Sequence, residues 1–218
     1  HNAGDATYSD LVKTSSLSIE ITDEIKEEFA LLSDEDTPTM TKIFSGRNSH
    51  LHPLIIKQLF SDEHNGTDLF KLYANKPEYD ELEHPAIQLF TSTQQKDVDL
   101  FCKKGRKIAP HLQWIALHSK NIIIVDGKKV KLSNRNAQAN IQALINNSDK
   151  EGTVIVSCSM GSRSFSIPNI IAVVNAQDKG DLAVSQQRFS RCLTPGCDKE
   201  YGLMVDYCFD SNRISSFE

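Results

Sequence analysis

Nowhere in these 218 residues is there a run of eighteen apolar residues, so no membrane-spanning helix is expected. No charged, apolar-cored leader is present either, which is expected of an unsecreted protein. The five cysteines are odd in number and scattered, the usage of a reduced, cytoplasm-like compartment rather than of a disulfide scaffold. Cys192 and Cys197 have no matching second pair, and His50 and His52 have no third ligand, so neither reads as a zinc site. Basic excess is missing too. Lys and Arg number 24 against 29 Asp and Glu, a formal net charge of −5, which excludes a protein that coats nucleic acid by bulk charge but leaves room for a local basic groove. Finally, there is no G-x-x-x-x-G-K-[ST] loop and no D-E-x-[HD] box after an apolar run. The chain alone therefore lacks the parts that cradle a triphosphate and hold its magnesium.

What is present suits one globular domain with an appended segment: 39% of residues are hydrophobic, somewhat low but enough for a core. The first residue is His rather than Met, as expected of a segment cut from a longer protein with a cloning remnant in front. Residues 1–84 read as an amino-terminal extension and 85–218 as the domain proper. His1 to Ser18 is polar and reads as a poorly ordered arm. Ile25, Phe29 and Leu32 fall at helical spacing in an acidic segment, and Pro53 opens a second helix through Phe60. Thr41–Phe44 is read as a short strand, and 61–84 as a polar connection holding one short helix.

From Ala86 the rhythm alternates. Ile87–Phe90, Trp114–Leu117, Thr153–Val156, Ile170–Val174 and Leu203–Val205 read as strands, with helices over Gln94–Lys104, Asn136–Ile145 and the segment carrying Gln187 to Arg191. Asp126-Gly127, between Ile122–Val125 and Lys128–Leu132, signals a two-residue hairpin. Alternation of this length predicts an α/β fold: a mainly parallel sheet with helices on both faces and the hairpin inserted at an edge. Ligands of such sheets collect at the carboxyl ends of the strands, where Thr91-Ser92, His118-Ser119, Ser157 to Ser159 and Gly161 to Ser166 fall. Hydroxyls there either cap helices or bind phosphate. The clusters Lys103 to Lys107 and Lys128 to Lys131 either flank a nucleic-acid strand or, at a helix end, complement its dipole.

Two motifs carry a resemblance. Gly161-Ser162-Arg163-Ser164-Phe165-Ser166-Ile167-Pro168 is similar to motif V, and Gln187-Arg188-Phe189-Ser190-Arg191 to motif VI, of the second RecA-like domain of superfamily-two helicases and translocases, of the kind found in phage replication, repair or restriction systems. The resemblance covers about Ala86 to Asp210. It departs from the family's pattern at Ser164, Ser166, Ser190 and Thr194, where Gly, Asp, Gly and Arg are usual.

The resemblance implies a RecA-like fold lacking its own phosphate loop. It implies that ATP and Mg2+ bind in a cleft shared with an amino-terminal RecA-like ATPase domain of the same polypeptide. Arg188 and Arg191 then act as arginine fingers, with Gln187, Arg163 and Ser166 at the nucleotide. Thr91, Ser92, His118, Ser119, Ser157, Cys158 and Ser159 would follow the backbone of a nucleic acid, DNA being the expected one. No membrane partner is implied. Two functions stay open at this point: half of an ATP-dependent motor, inactive alone, or a non-catalytic RecA-like domain that binds nucleic acid or a partner protein.

Overall fold

The computed structural model describes residues 12–33, 37–63, 66–75, 82–117, 122–132, 137–158, 166–178, 182–197 and 199–210. Eight strands form one sheet: β1 (Lys13–Glu20), β2 (Ala86–Thr91), β3 (Leu112–Leu117), β4 (Ile122–Val125), β5 (Lys128–Lys131), β6 (Gly152–Cys158), β7 (Ile170–Ala176) and β8 (Tyr201–Cys208). Their spatial order is β1-β8-β7-β2-β6-β3-β4-β5. From β1 to β3 every pairing is parallel; β4 and β5 continue the sheet as an antiparallel hairpin. The α/β architecture expected from the alternation is the one observed, with the hairpin as its edge insertion. At the turn, Asp126 and Gly127 have φ of 46° and 89°, the paired positive angles that a type I′ turn demands.

Side-chain alternation splits the core by sheet face. One face presents Ile87 and Leu89, Trp114, Val154 and Val156, Val174, and Leu203 and Val205. It is covered by α1 (Asp23–Leu32), α2 (Met40–Ile43), α3 (His52–Phe60), α4 (Leu69–Ala74) and α5 (Gln95–Ile108). The other face presents Phe90, Ile115, Ile155 and Val173 to α6 (Ala137–Asn146), α7 (Leu182–Phe189) and the 3-10 turn Ser190–Leu193. Close approach is built in at Gly105 on α5, where an added methyl group would stand 2.5 Å from the Trp114 ring of β3.

Three sequence expectations are corrected. Residues 13–18 are not an arm: they begin β1, which pairs with β8 and buries Ile19. The strand is mostly polar because it is an edge, and only its tertiary pairing makes it a strand. Thr41–Phe44 is helical rather than extended; Thr39 caps α2 by accepting from the Lys42 N–H at 3.2 Å, and four residues are too few to separate the two periods. Strand β6 runs on through Cys158, two residues past the expected end at Val156.

Candidate functional site

The site lies where the carboxyl ends of β2, β6 and β7 meet the α7 side of the sheet. The parallel registers align Ser157 with Phe90, Phe90 with Asn175, and Asn175 with Asp206. Four neighbouring strands thus contribute one row of side chains, three of them polar, all buried to 1% exposure or less. Helix α7 and the 3-10 turn lay Arg188 and Arg191 over this row. Their guanidinium carbons stand 5.2 and 4.8 Å from the centre of the Phe90 ring, within cation–π range.

Both arginines are interior residues, 5% and 6% exposed. Arg188 donates from Nη1 to the Asn175 Oδ1 at 3.1 Å and the Gln177 Oε1 at 2.5 Å, so both oxygens that receive it belong to neutral amides. Burial lowers the Arg188 pKa from its ordinary value. Burial, helped by the neighbouring Arg188 charge, brings Arg191 down to about 10. Two like charges held side by side out of water favour a negative group beside them, and the row they cover already holds one, the buried Asp206. The Nε of Arg188, the Oε1 of Gln88, the Nδ2 of Asn175 and the Oγ of Ser185 are buried with no hydrogen-bond partner among the described residues, so the region retains polar capacity.

The sheet that carries the site is pinned at several points outside it. Lys199 donates to the carbonyls of Pro168 and Ile170 at 3.0 and 2.8 Å, fixing the approach to β7, and burial pushes its pKa down to about 8. Asp178, just beyond β7, accepts from the backbone N–H groups of Met40 and Thr41 at 2.5 and 3.2 Å, tying the start of α2 to this end of the sheet. Asp97 of α5 likewise accepts from the Gly46 N–H at 3.0 Å.

The residues expected to contact ligands fall in different places. Arg188 and Arg191 converge, although Arg191 belongs to the 3-10 turn rather than to the helix. Gln187 is exposed, and exposed Ser166 is held by Gln138 of α6, whose Nε2 donates to its carbonyl at 2.5 Å. Ser92 is half-buried at the end of β2, but the Thr91 hydroxyl is buried and shared with Thr93 at 2.9 Å. Ser157 lies inside β6, fully buried, and accepts from the Gln88 Nε2 at 3.1 Å. Cys158 points into the core of the opposite face. Because β6 is longer than expected, these last two are interior side chains rather than loop groups. His118, Ser119, Ser159 and Arg163 lie outside the described residues. Phe90, Asn175, Gln177 and Asp206 were not anticipated; the signal for Asn175 and Asp206 was a polar residue inside an apolar strand run.

No family model and no curated protein matches the chain. Solved structures do. The chain is similar to part of the ATP-dependent Type ISP restriction-modification enzyme LlaBIII bound to DNA, with a TM-score of 0.50 and 13% identity over 94% of this chain and 12% of that one. Looser likenesses are to Mss116p DEAD-box helicase domain 2 bound to an RNA duplex (TM-score 0.42, 14% identity, 90% of this chain and 54% of that one) and to the S. cerevisiae Dbp5 C-terminal domain bound to Gle1 and IP6 (TM-score 0.37, 17% identity, 67% and 70%). The chain spans only an eighth or so of the restriction enzyme, as its 12% coverage states. No helix among the described residues is long and apolar enough to cross a membrane.

Proposed function

We propose that this chain is the carboxy-terminal RecA-like half of an ATP-dependent nucleic-acid helicase or translocase, supplying Arg188 and Arg191 to a nucleotide bound between two such domains. The observation that carries this reading is the pair of buried guanidiniums over Phe90 at the carboxyl edge of the sheet. Arg188 is held by two amides and serves to position; Arg191, whose guanidinium lies over the same Phe90 ring, is assigned to the phosphoryl oxygens by its place in the motif VI resemblance. Guanidinium suits this task because its charge is permanent and its planar fork matches phosphate geometry. The unfilled polar capacity around Arg188 and Asn175 fits the phosphates of ATP. Bound ATP and Mg2+ supply the transferable phosphoryl and the charge that polarises it. The phosphate loop and the magnesium carboxylate belong to the preceding domain, in keeping with a sequence that has neither motif. Ser92 and the neighbouring strand-end backbone contribute to a groove that tracks sugar and phosphate without reading bases.

Purified alone, the chain is expected to hydrolyse no ATP above background, with or without nucleic acid. Robust turnover by the isolated chain would contradict the half-motor reading.

A further inference from the structure

Two lysine-rich stretches that are separate in sequence form one surface in the fold. Lys103, Arg106 and Lys107 lie at the carboxyl end of α5, and Lys128, Lys129 and Lys131 lie on β5, the outermost strand of the hairpin. The seam between them is Gly127: a methyl group built there would sit 3.4 Å from the Nη2 of Arg106. The five lysines other than Lys104 in these stretches are exposed and Arg106 is half-buried.

The register of the hairpin sets which way the lysines face. Lys129 and Lys131 pair with Ile124 and Ile122, and Ile124 packs on the α5 side of the sheet. Lys129 and Lys131 therefore share the side on which α5 presents its cations, about 6.8 Å apart by strand geometry. Asp126, the carboxylate at the hairpin turn, is engaged by the Trp114 N–H at 3.1 Å. The edge is thus locally cationic on a chain of formal net charge −5. Lysines on an edge strand also discourage sheet-to-sheet pairing. That role accounts for β5 alone and the helix dipole for charge at the end of α5; neither accounts for the meeting of the two at Gly127, where Arg106 lies against the hairpin turn.

We infer that this edge is a second nucleic-acid surface, gripping the phosphate backbone at a site separate from the strand ends. The turn sits at the amino end of β3, where the Asp126 N–H donates to the Trp114 carbonyl at 3.1 Å, whereas Arg188 and Arg191 sit at the carboxyl ends. A lipid surface fits poorly, since the exposed large apolar residues among those described are Leu31, Leu32 and Val184, none of them on this edge. A protein partner would want an aromatic or apolar anchor that the edge does not offer. Contacts of this kind are blind to sequence and follow counter-ion release.

The experiment is fluorescence anisotropy of labelled duplex and single-stranded oligonucleotides against the whole chain, from about 50 to 200 mM salt, with melting curves for every variant. Lys128→Gln, Lys129→Gln and Lys131→Gln together, of which Lys129 and Lys131 face the α5 side while Lys128 pairs with Val125 on the other, are expected to flatten the log–log salt slope by roughly 2 to 3 and to weaken low-salt binding about 10-fold or more. Lys103→Gln, Arg106→Gln and Lys107→Gln together are expected to do the same, which guards against a folding defect in one triple. Lys57→Gln, Lys71→Gln and Lys150→Gln, removing equal charge elsewhere, are expected to change the slope by about 1 at most. Equal weakening by all three triples would overturn the inference, as would parental binding by both edge triples or no binding by the parent. Edge-dependent binding to phosphatidylserine vesicles with none to nucleic acid would overturn it as well. None of these outcomes depends on Arg191.

Discussion

Tyr73 and Tyr201 are locked to each other in both directions. Their rings stack at 4.3 Å with planes 18° apart, and each hydroxyl donates to the other's backbone carbonyl, at 2.9 Å from Tyr73 and 2.5 Å from Tyr201. Tyr73 ends α4 in the first third of the chain and Tyr201 opens β8 near its close. The pair joins the amino-terminal segment to the sheet through an interior contact.

Removing that contact is expected to cost global stability. Tyr73→Phe deletes one buried hydrogen bond, about 1 kcal/mol, and lowers the Tm by about 2–4 °C for a chain of this size. Tyr73→Ala also leaves a cavity, and about 3–5 kcal/mol is expected from urea unfolding followed by circular dichroism. Parental unfolding by Tyr73→Ala would mean that the Tyr73–Tyr201 contact contributes nothing to global stability.

The pair also marks where sequence reading succeeded and stopped. Strands β2, β3, β4, β6, β7 and β8 were visible as apolar runs, and lysine-rich β5 only as the second arm of the hairpin that Asp126-Gly127 announced, because local pattern and tertiary role agree there. Strand β1 was invisible: Lys13 to Ser16 carry no apolar residue, and the partner that makes them a strand lies almost 190 residues away on β8. The arginine pair was visible by spacing, but its depth was not. Burial of Arg188 depends on Asn175 and Gln177, whose position on one sheet face follows only from strand parity and register. Ser157 and Cys158 looked like loop residues because small polar side chains follow an apolar run, yet β6 carries the ladder past them.

A pH dependence follows from His52. It is fully buried on α3, donates from Nε2 to the Phe44 carbonyl at 3.1 Å and lies 5.2 Å from the Phe101 ring. Burial, aided by the Lys104 charge, holds its pKa down at about 4 against an ordinary 6.5. The unfolded chain therefore takes up this proton first as pH falls. Stability is intact above pH 6.5, drains away between 6.5 and about 4, and levels off below, a loss of roughly 3 kcal/mol from this group. His52→Gln keeps a donor and removes the titration, so urea midpoints at pH 7 and pH 4.5 are expected to differ less in the variant than in the parent. Identical pH dependence in the two would show that His52 titrates normally.

The central claim concerns Arg191, and ATP turnover in the polypeptide that joins this chain to a nucleotide-binding RecA-like domain tests it most directly. With nucleic acid present, Arg191→Ala is expected to lower the rate by about 10³-fold, the low end for an arginine finger, while nucleotide affinity changes far less. Arg191→Lys keeps a charge and much of the bulk in this buried position but lacks the planar fork, so it is expected not to rescue turnover. Arg188→Ala is also expected to lower turnover, through loss of the scaffold that Asn175 and Gln177 provide. If Arg191→Lys melts like the parent and turns over about 10³-fold more slowly, Arg191 meets the phosphoryl group. If Arg191→Lys and Arg191→Ala both melt like the parent and hydrolyse ATP at the parental rate, Arg191 is a structural arginine and the half-motor account is wrong.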